Sequence, residues 1–281
     1  MGTRLILVEG IPGSGKTTAA KHVETLVNAW GFPCRAYVEG GENPADLAWN
    51  AFMTVEKMNE LMASFPLHAA SIQKAAAIQG GHAVVPSLSF LKHDDPLYAE
   101  MEACEVYDGR VDELTFQTLH QNRWTNFAKS SSGEETMFVL ECALLQNHFN
   151  EYCLFHKWKP ERIENAVNRL LDTVAALRPC LIYLAPSDVN DCIQTVAKER
   201  VWPGGSWAER VTQYLLNSPY GIDQSWTREN AMVDYFAYRQ AQEIQMLSKL
   251  HARTRIIRYG TGHWDVKMEG IHEALQNWLA S

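Results

Sequence analysis

The chain is expected to fold as a doubly wound α/β unit, a parallel sheet covered by helices on both faces, and three observations point there. Short, continuously apolar runs at residues 5–8, 137–140 and 180–184 read as strands buried on both sides. Segments of helical period separate them, as the crossovers of a parallel sheet require. A glycine-rich segment joins the first apolar run to the first helical one. No repeat or low-complexity linker divides the 281 residues, so one domain over 1–281 is expected.

Taken in order, Arg4–Glu9 reads as the first strand and Lys16–Ala29 as a helix with Ala, Val and Leu on one face, stopped by Gly31. Cys34–Val38 reads as the second strand. Asn43-Pro44-Ala45-Asp46 carries the marks of a helix start: an Asn N-cap, Pro at the first helical position and an acid in the first turn. It predicts a helix from Pro44 to about Ser64, in which Trp49, Phe52, Met53, Met58 and Met62 fall at helical spacing and read as core. A further helix is expected over Leu67–Gln79, before the Gly80-Gly81 break, and the segments around Pro86 and Pro96 show no clear period. Residues 44–111 thus form an expected helical insertion on the acceptor side of the site.

Asp112–Lys129 reads as a helix, Ser130–Gly133 as a turn, and Met137–Leu140 as a strand ending at Glu141. Helices at Pro160–Leu177 and Val189–Arg200 flank a strand at Cys180–Leu184. The Trp202-Pro203-Gly204-Gly205 break falls in a segment, about residues 198–225, expected to act as a lid. A long helix over Ser225–Leu250, a last strand at Arg255–Tyr259 and a closing helix at Val266–Leu279 complete the alternation.

Composition excludes several classes. With 46% hydrophobic and 21% charged residues the chain is globular rather than disordered. No apolar run approaches the roughly 20 residues that span a bilayer, so no membrane association and a cytoplasmic location are expected. The net charge of −8, with no concentration of Lys and Arg, argues against nucleic acid as a partner. The six cysteines and ten histidines form no zinc or metalloprotease spacing; His263 reads as a loop or cap residue. Monomer and homodimer remain open.

The glycine-rich segment is the most specific signal. Gly10-Ile11-Pro12-Gly13-Ser14-Gly15-Lys16-Thr17-Thr18 places glycines where backbone N–H groups turn inward toward a phosphate. Lys16 reaches the β and γ phosphates, Thr17 offers its hydroxyl to Mg²⁺, and the helix that opens there adds its positive end. The four fixed positions arise by chance in about one chain of this length in a hundred. The flanking strand and helix are the context that a P-loop nucleoside triphosphate site of the kinase type demands, with Gly10, Pro12, Gly13, Ser14, Gly15, Lys16, Thr17 and Thr18 holding ATP.

Ligands of open α/β sheets sit at the carboxyl ends of strands, which singles out Glu39 and Glu141. Glu39 is expected as the base that takes a proton from an acceptor hydroxyl, and Glu141 as the partner of Thr17 at Mg²⁺. Glu9 reads as a structural acid. Arg123 is expected to point into an acceptor cleft, and Arg200, at the start of the lid, to neutralise charge on the transferring phosphoryl group. Lys198, Arg210 and Arg228 are further candidates.

Leu7-Val8-Glu9-Gly10, leading into Gly13-Ser14-Gly15-Lys16-Thr17-Thr18, resembles the opening of the thymidylate kinase and deoxynucleoside kinase branch of P-loop kinases. Asn122-Arg123-Trp124 is similar to the acceptor-binding arginine segment of thymidylate kinases, and Glu39 stands where deoxynucleoside kinases place their base. Cys142 occupies the position of the arginine expected after Glu141, and Glu39-Gly40-Gly41-Glu42 contains no phosphate-binding arginine. The loop and its context, taken with these departures from the family, lead to the expectation of an ATP- and Mg²⁺-dependent phosphotransferase acting on a hydroxyl of a small molecule such as a nucleoside, a sugar or an antibiotic. A nucleoside monophosphate kinase and a nucleotide-dependent regulatory binding protein are the alternatives.

Overall fold

The computed structural model describes residues 2–40, 43–92, 94–260, 262 and 264–279, so the readings made for Gly41, Glu42 and His263 lie outside the described residues. β1 (Leu5–Gly10) leads through the glycine loop into α1 (Lys16–Ala29), and β2 (Cys34–Tyr37) follows.

The helix expected from Pro44 to Ser64 does not form as such. Asn43 Oδ1 accepts the Ala45 N–H at 3.0 Å, as a cap would, but the chain then turns at a buried Asp46. It runs as β3 (Asn50–Thr54) before α2 (Val55–Ser64), whose cap is Thr54, accepting the Lys57 N–H. The helix expected over 67–79 is likewise divided, into α3 (Ala69–Ala75) and β4 (Ala77–Gln79). Gly80 and Gly81, both at positive φ, turn β4 back into β5 (His82–Pro86). β5 is the middle strand, pairing antiparallel with β3 so that Met53 faces Ala83 and Ala51 faces Val85. Together with α4 (Pro96–Glu102) these elements enclose a core of their own, including Met53, Met58, Leu61, Ile72 and Leu97. The insertion is therefore mixed, not helical. The spacing of Phe52 and Met53 suits a strand as well as a helix, and pairing with a distant segment decided between them.

α5 (Glu113–Ser131) is capped by Asp112 and continues into the expected turn. Then come β6 (Met137–Glu141), α6 (Gln146–Asn150) running into a π-helical turn at Glu151–Phe155, α7 (Pro160–Thr173), β7 (Cys180–Pro186) and α8 (Val189–Glu199). The expected lid segment contains a short hairpin, β8 (Val201–Trp202) and β9 (Gly205–Ser206), then α9 (Trp207–Asn217) and α10 (Pro219–Gln224). α11 (Ala231–Leu247) begins later than expected because Ser225 adopts φ 57°, which ends α10 and separates the two helices. β10 (Arg253–Tyr259) and α12 (Trp264–Leu279) close the chain.

The central sheet is parallel throughout, in the order β10-β7-β1-β6-β2. Ile6 and Val8 of β1 face the cluster built with α1 and α12, whereas Leu5 and Leu7 face the larger cluster that includes residues of α5, α7 and α11. Each such side chain contributes about 1.5–3 kcal/mol when fully buried, which explains the unbroken apolar run of β1. From β1 the chain passes to the β2 edge, returns to β6 and then crosses to β7 on the other side of β1. The direction of winding thus reverses beside β1, and the glycine loop stands at that switch point. Among the described residues, no helix is long and apolar enough to cross a membrane.

Candidate functional site

The loop between β1 and α1 has the backbone that its sequence requires. Gly10, Gly13 and Gly15 adopt φ of 147°, 80° and 87°. A Cβ on Gly10 would lie 2.6 Å from the Leu184 carbonyl, and one on Gly13 3.1 Å from the Cys192 carbonyl of α8. Gly15 is the N-cap of α1 and supplies no side-chain cap, and the first turn of α1 carries no acid. The free N–H groups of that turn therefore face the loop with the positive end of the helix dipole uncompensated. Ser14 is fully buried, its carbonyl accepting from Tyr259 Oη at 3.0 Å and Lys267 Nζ at 3.3 Å. Lys16 is also buried, with Nζ donating to the Ile11 carbonyl at 3.0 Å.

The three strand ends beside the loop meet at Glu141. Thr17 Oγ1 donates to Glu141 Oε1 at 2.6 Å, and the Glu39 backbone N–H donates to Glu141 Oε2 at 3.0 Å. β6 pairs with β1 and β2 so that Val8 faces Glu141 and Tyr37 faces Leu140, which brings residues 39 and 141 level. Glu39 Oε1 accepts from Gln146 Nε2 at 2.9 Å. Glu39, Glu141 and Cys142 have potential ligand atoms within 4.8 Å of one another. Burial keeps the Cys142 thiol well above its ordinary pKa, so it stays neutral and is a poor ligand. The two carboxylates and Thr17 Oγ1 are hard oxygen donors of the kind Mg²⁺ takes.

A cleft of about 400 Å³ opens over the loop, lined by Lys16, Thr17, Thr18, Glu39, Glu141 and, from the expected lid, Arg200. Pro12, Gly13 and Gly15 also line it, whereas Gly10 and Ser14 lie beneath. The Arg200 guanidinium sits 5.7 Å from the centre of the Trp207 ring of α9. Arg210 instead covers Trp202, and Arg228 reaches Gln213 at 3.4 Å; neither lines the cleft, nor does Lys198.

Sequence reasoning missed the side chain at the cleft floor. Arg239 of α11 is fully buried, donating from Nη2 to the Gly10 carbonyl at 3.1 Å and from Nη1 to Asn150 Oδ1 at 3.0 Å. Its Nε lies 3.3 Å from Glu243 Oε1, and Glu243 Oε2 accepts from Tyr183 Oη at 2.5 Å. The signal was a charged i,i+4 pair on the apolar stripe of Tyr235, Phe236, Met246 and Leu247. Glu9 is the structural acid expected: its carboxyl accepts the Leu144 and Gln146 N–H groups at 2.8 and 3.2 Å, and burial pushes it up to about 7.

Two further cavities adjoin the site. A chamber of about 160 Å³ shares Glu39, Asn150 and Tyr214 with the loop cleft and is otherwise walled by residues such as Trp49, Glu105, Tyr107 and Asp108. A larger cavity of about 710 Å³ is lined by Arg35, Asp46, Trp49 and Arg123 among others, and has no lining residue in common with the loop cleft. Arg123, expected in the acceptor cleft, thus faces this second cavity, its Nη2 donating to the Asn43 carbonyl at 2.8 Å.

Behind both cavities, the Tyr107 hydroxyl lies 2.7 Å from Asp46 Oδ1 and 2.8 Å from His120 Nε2, while His120 Nδ1 lies 3.0 Å from the Phe116 carbonyl. With Nδ1–H donating to Phe116, one hydroxyl proton faces two acceptors, so a second proton is needed. Burial pushes His120 down to about 4 and Asp46 up from its ordinary value. Comparison with protein-family models and with curated protein sequences returns no match.

Proposed function

We propose that the protein transfers the γ-phosphoryl group of ATP to a hydroxyl of a small molecule. The observation that carries this reading is the alignment of the glycine loop, Lys16, the Thr17–Glu141 pair and Glu39 along one cleft that continues past Glu39 into a second chamber. In this reading the uncapped first turn of α1 and the loop N–H groups hold the phosphates, and Lys16 leaves the Ile11 carbonyl to pair with the β and γ oxygens. Thr17 and Glu141 hold Mg²⁺, which when bound neutralises charge on the β and γ phosphates. The acceptor oxygen forms a bond to the γ-phosphorus as the bond to the bridging oxygen of ADP breaks, and Glu39 takes the hydroxyl proton. Arg200 faces the developing charge from the lid side, and Arg239 fixes the floor of the loop from beneath.

The pair of Arg35 and Arg123 in the larger cavity favours a second reading, a nucleoside monophosphate acceptor whose phosphate sits between them. That cavity lacks a lining residue shared with the loop cleft, which is why the hydroxyl acceptor is preferred.

The test is ATP consumption with Mg²⁺ against pools of nucleosides, nucleotides, sugars and amino-bearing antibiotics, beside binding of a fluorescent ATP analogue. Lys16→Ala should lose turnover at least 100-fold, on the order seen when one charge-stabilising group is removed. Glu39→Gln should lower kcat by about 100-fold or more with little change in KM. If wild-type protein fails to bind the analogue, the phosphotransferase reading is wrong; monophosphates alone raising turnover would favour the second reading.

A further inference from the structure

The chamber beyond Glu39 has a chemistry narrower than that of a general hydroxyl-binding site. Glu39, Glu105 and Asp108 line it, and among the described residues no lysine or arginine does. Arg110 stands outside, with Nη1 2.9 Å from Asp108 Oδ2 and 3.6 Å from Glu105 Oε2, so one guanidinium faces two of the three carboxyls. Trp49, Tyr107 and Tyr214 supply the remaining large surfaces, and aromatic faces beside carboxylates attract cations. Glu105 fixes the Trp49 backbone, its Oε1 accepting the Trp49 N–H at 2.7 Å. Beside Glu39, the buried Gln146 has an amide oxygen without a hydrogen-bond donor among the described residues. At about 160 Å³ the chamber lies well below the roughly 300 Å³ at which pockets for drug-sized ligands begin.

We infer that the acceptor is a small cationic alcohol, an amino alcohol or amino sugar, whose ammonium group is held by Glu105 and Asp108 against the Trp49 and Tyr214 rings while its hydroxyl reaches Glu39. This rests on the phosphotransferase reading. A phosphate-bearing acceptor would meet repulsion from Glu39, Glu105 and Asp108 in this chamber, and a neutral polyol would gain nothing from their charge.

The experiment uses the full chain and near-isosteric probe pairs: D-glucosamine and D-glucose, ethanolamine and ethylene glycol, choline and 3,3-dimethyl-1-butanol. Direct binding is read by calorimetry without nucleotide, and ATP consumption is read with Mg²⁺. In at least one pair the amine should bind, and be turned over, at least about tenfold better than its neutral partner. Glu105→Gln and Asp108→Asn should each reduce that preference about tenfold and leave binding of the fluorescent ATP analogue unchanged. Both variants retain the fold: Gln keeps an acceptor for the Trp49 N–H, and Asn is at ease at the φ of 68° that Asp108 adopts. Equal use of neutral and amine probes, or a preference that survives in both variants, overturns the inference and leaves phosphoryl transfer standing. Amine binding that depends on Glu105 but produces no ATP turnover supports the cationic chamber and overturns phosphoryl transfer. No amine binding in any pair overturns the inference whatever the ATP result.

Discussion

Replacing Arg239 by methionine isolates the buried charge beneath the glycine loop. The side chain is fully buried between the Gly10 carbonyl, Asn150 and Glu243. Methionine approximates the aliphatic stem, so the main loss is electrostatic: among the described residues Glu243, also fully buried, keeps only the Tyr183 hydroxyl at 2.5 Å as a hydrogen-bond partner. Removing one partner of a buried pair costs about 3–5 kcal/mol. For a chain of this size each kcal/mol lowers the thermal midpoint by roughly 2–4 °C, giving a drop on the order of 10 °C by calorimetry or circular dichroism. Burial already holds Glu243 above its ordinary value, and losing Arg239 raises it further. The deficit should therefore shrink as pH falls and Glu243 takes up a proton, because the protonated carboxyl is buried without charge. The double variant Arg239→Met, Glu243→Gln should recover more than half of the midpoint, because the stranded charge is gone while Tyr183 keeps an acceptor. Its Gly10 carbonyl stays untethered, and on the proposed reading it binds the ATP analogue more weakly than wild type. A single-variant drop below about 2 °C, or no recovery in the double variant, would refute the assignment of Arg239 and Glu243 as a mutually dependent buried pair.

Two other outcomes follow from the same geometry. Gly10→Ala sets a Cβ 2.6 Å from the Leu184 carbonyl at a φ of 147°; overpacking and backbone strain together cost about 2–6 kcal/mol, and both the thermal midpoint and ATP-analogue binding should fall. An unchanged midpoint would mean that β1 and β7 separate more easily than their pairing suggests. Burial pushes Glu9 and Glu105 up from 4.5 to about 7. Between those values the folded chain holds protons that the unfolded chain has released, so stability falls as pH rises through this window, with Glu9 contributing on the order of 3 kcal/mol. Thermal midpoints across that range should decline, and a midpoint that rises would place the ionised carboxylates in better company than their surroundings indicate.

The sequence by itself determined the parallel sheet and the loop. Unbroken apolar runs admit little but strands covered on both faces, and Lys16–Ala29 forms the helix its pattern requires. Glycines at 10, 13 and 15 mark a backbone that other residues rarely adopt, so that geometry is local and legible. Glu39 and Glu141 were found because a strand end is a place that topology makes special. Only tertiary structure decided the insertion, since Ala51 to Met53 fits either period and the partner strand β5 arrives about thirty residues later. It also decided which arginine serves the cleft. Arg123 and Arg239 both lie in helices, and nothing local distinguishes an arginine directed to the larger cavity from one tied to the Gly10 carbonyl. The acidic chamber was equally hidden: Glu39, Trp49, Glu105 and Tyr214 share no spacing, and only the packing of α6 and α9 beside the insertion brings their side chains to one wall.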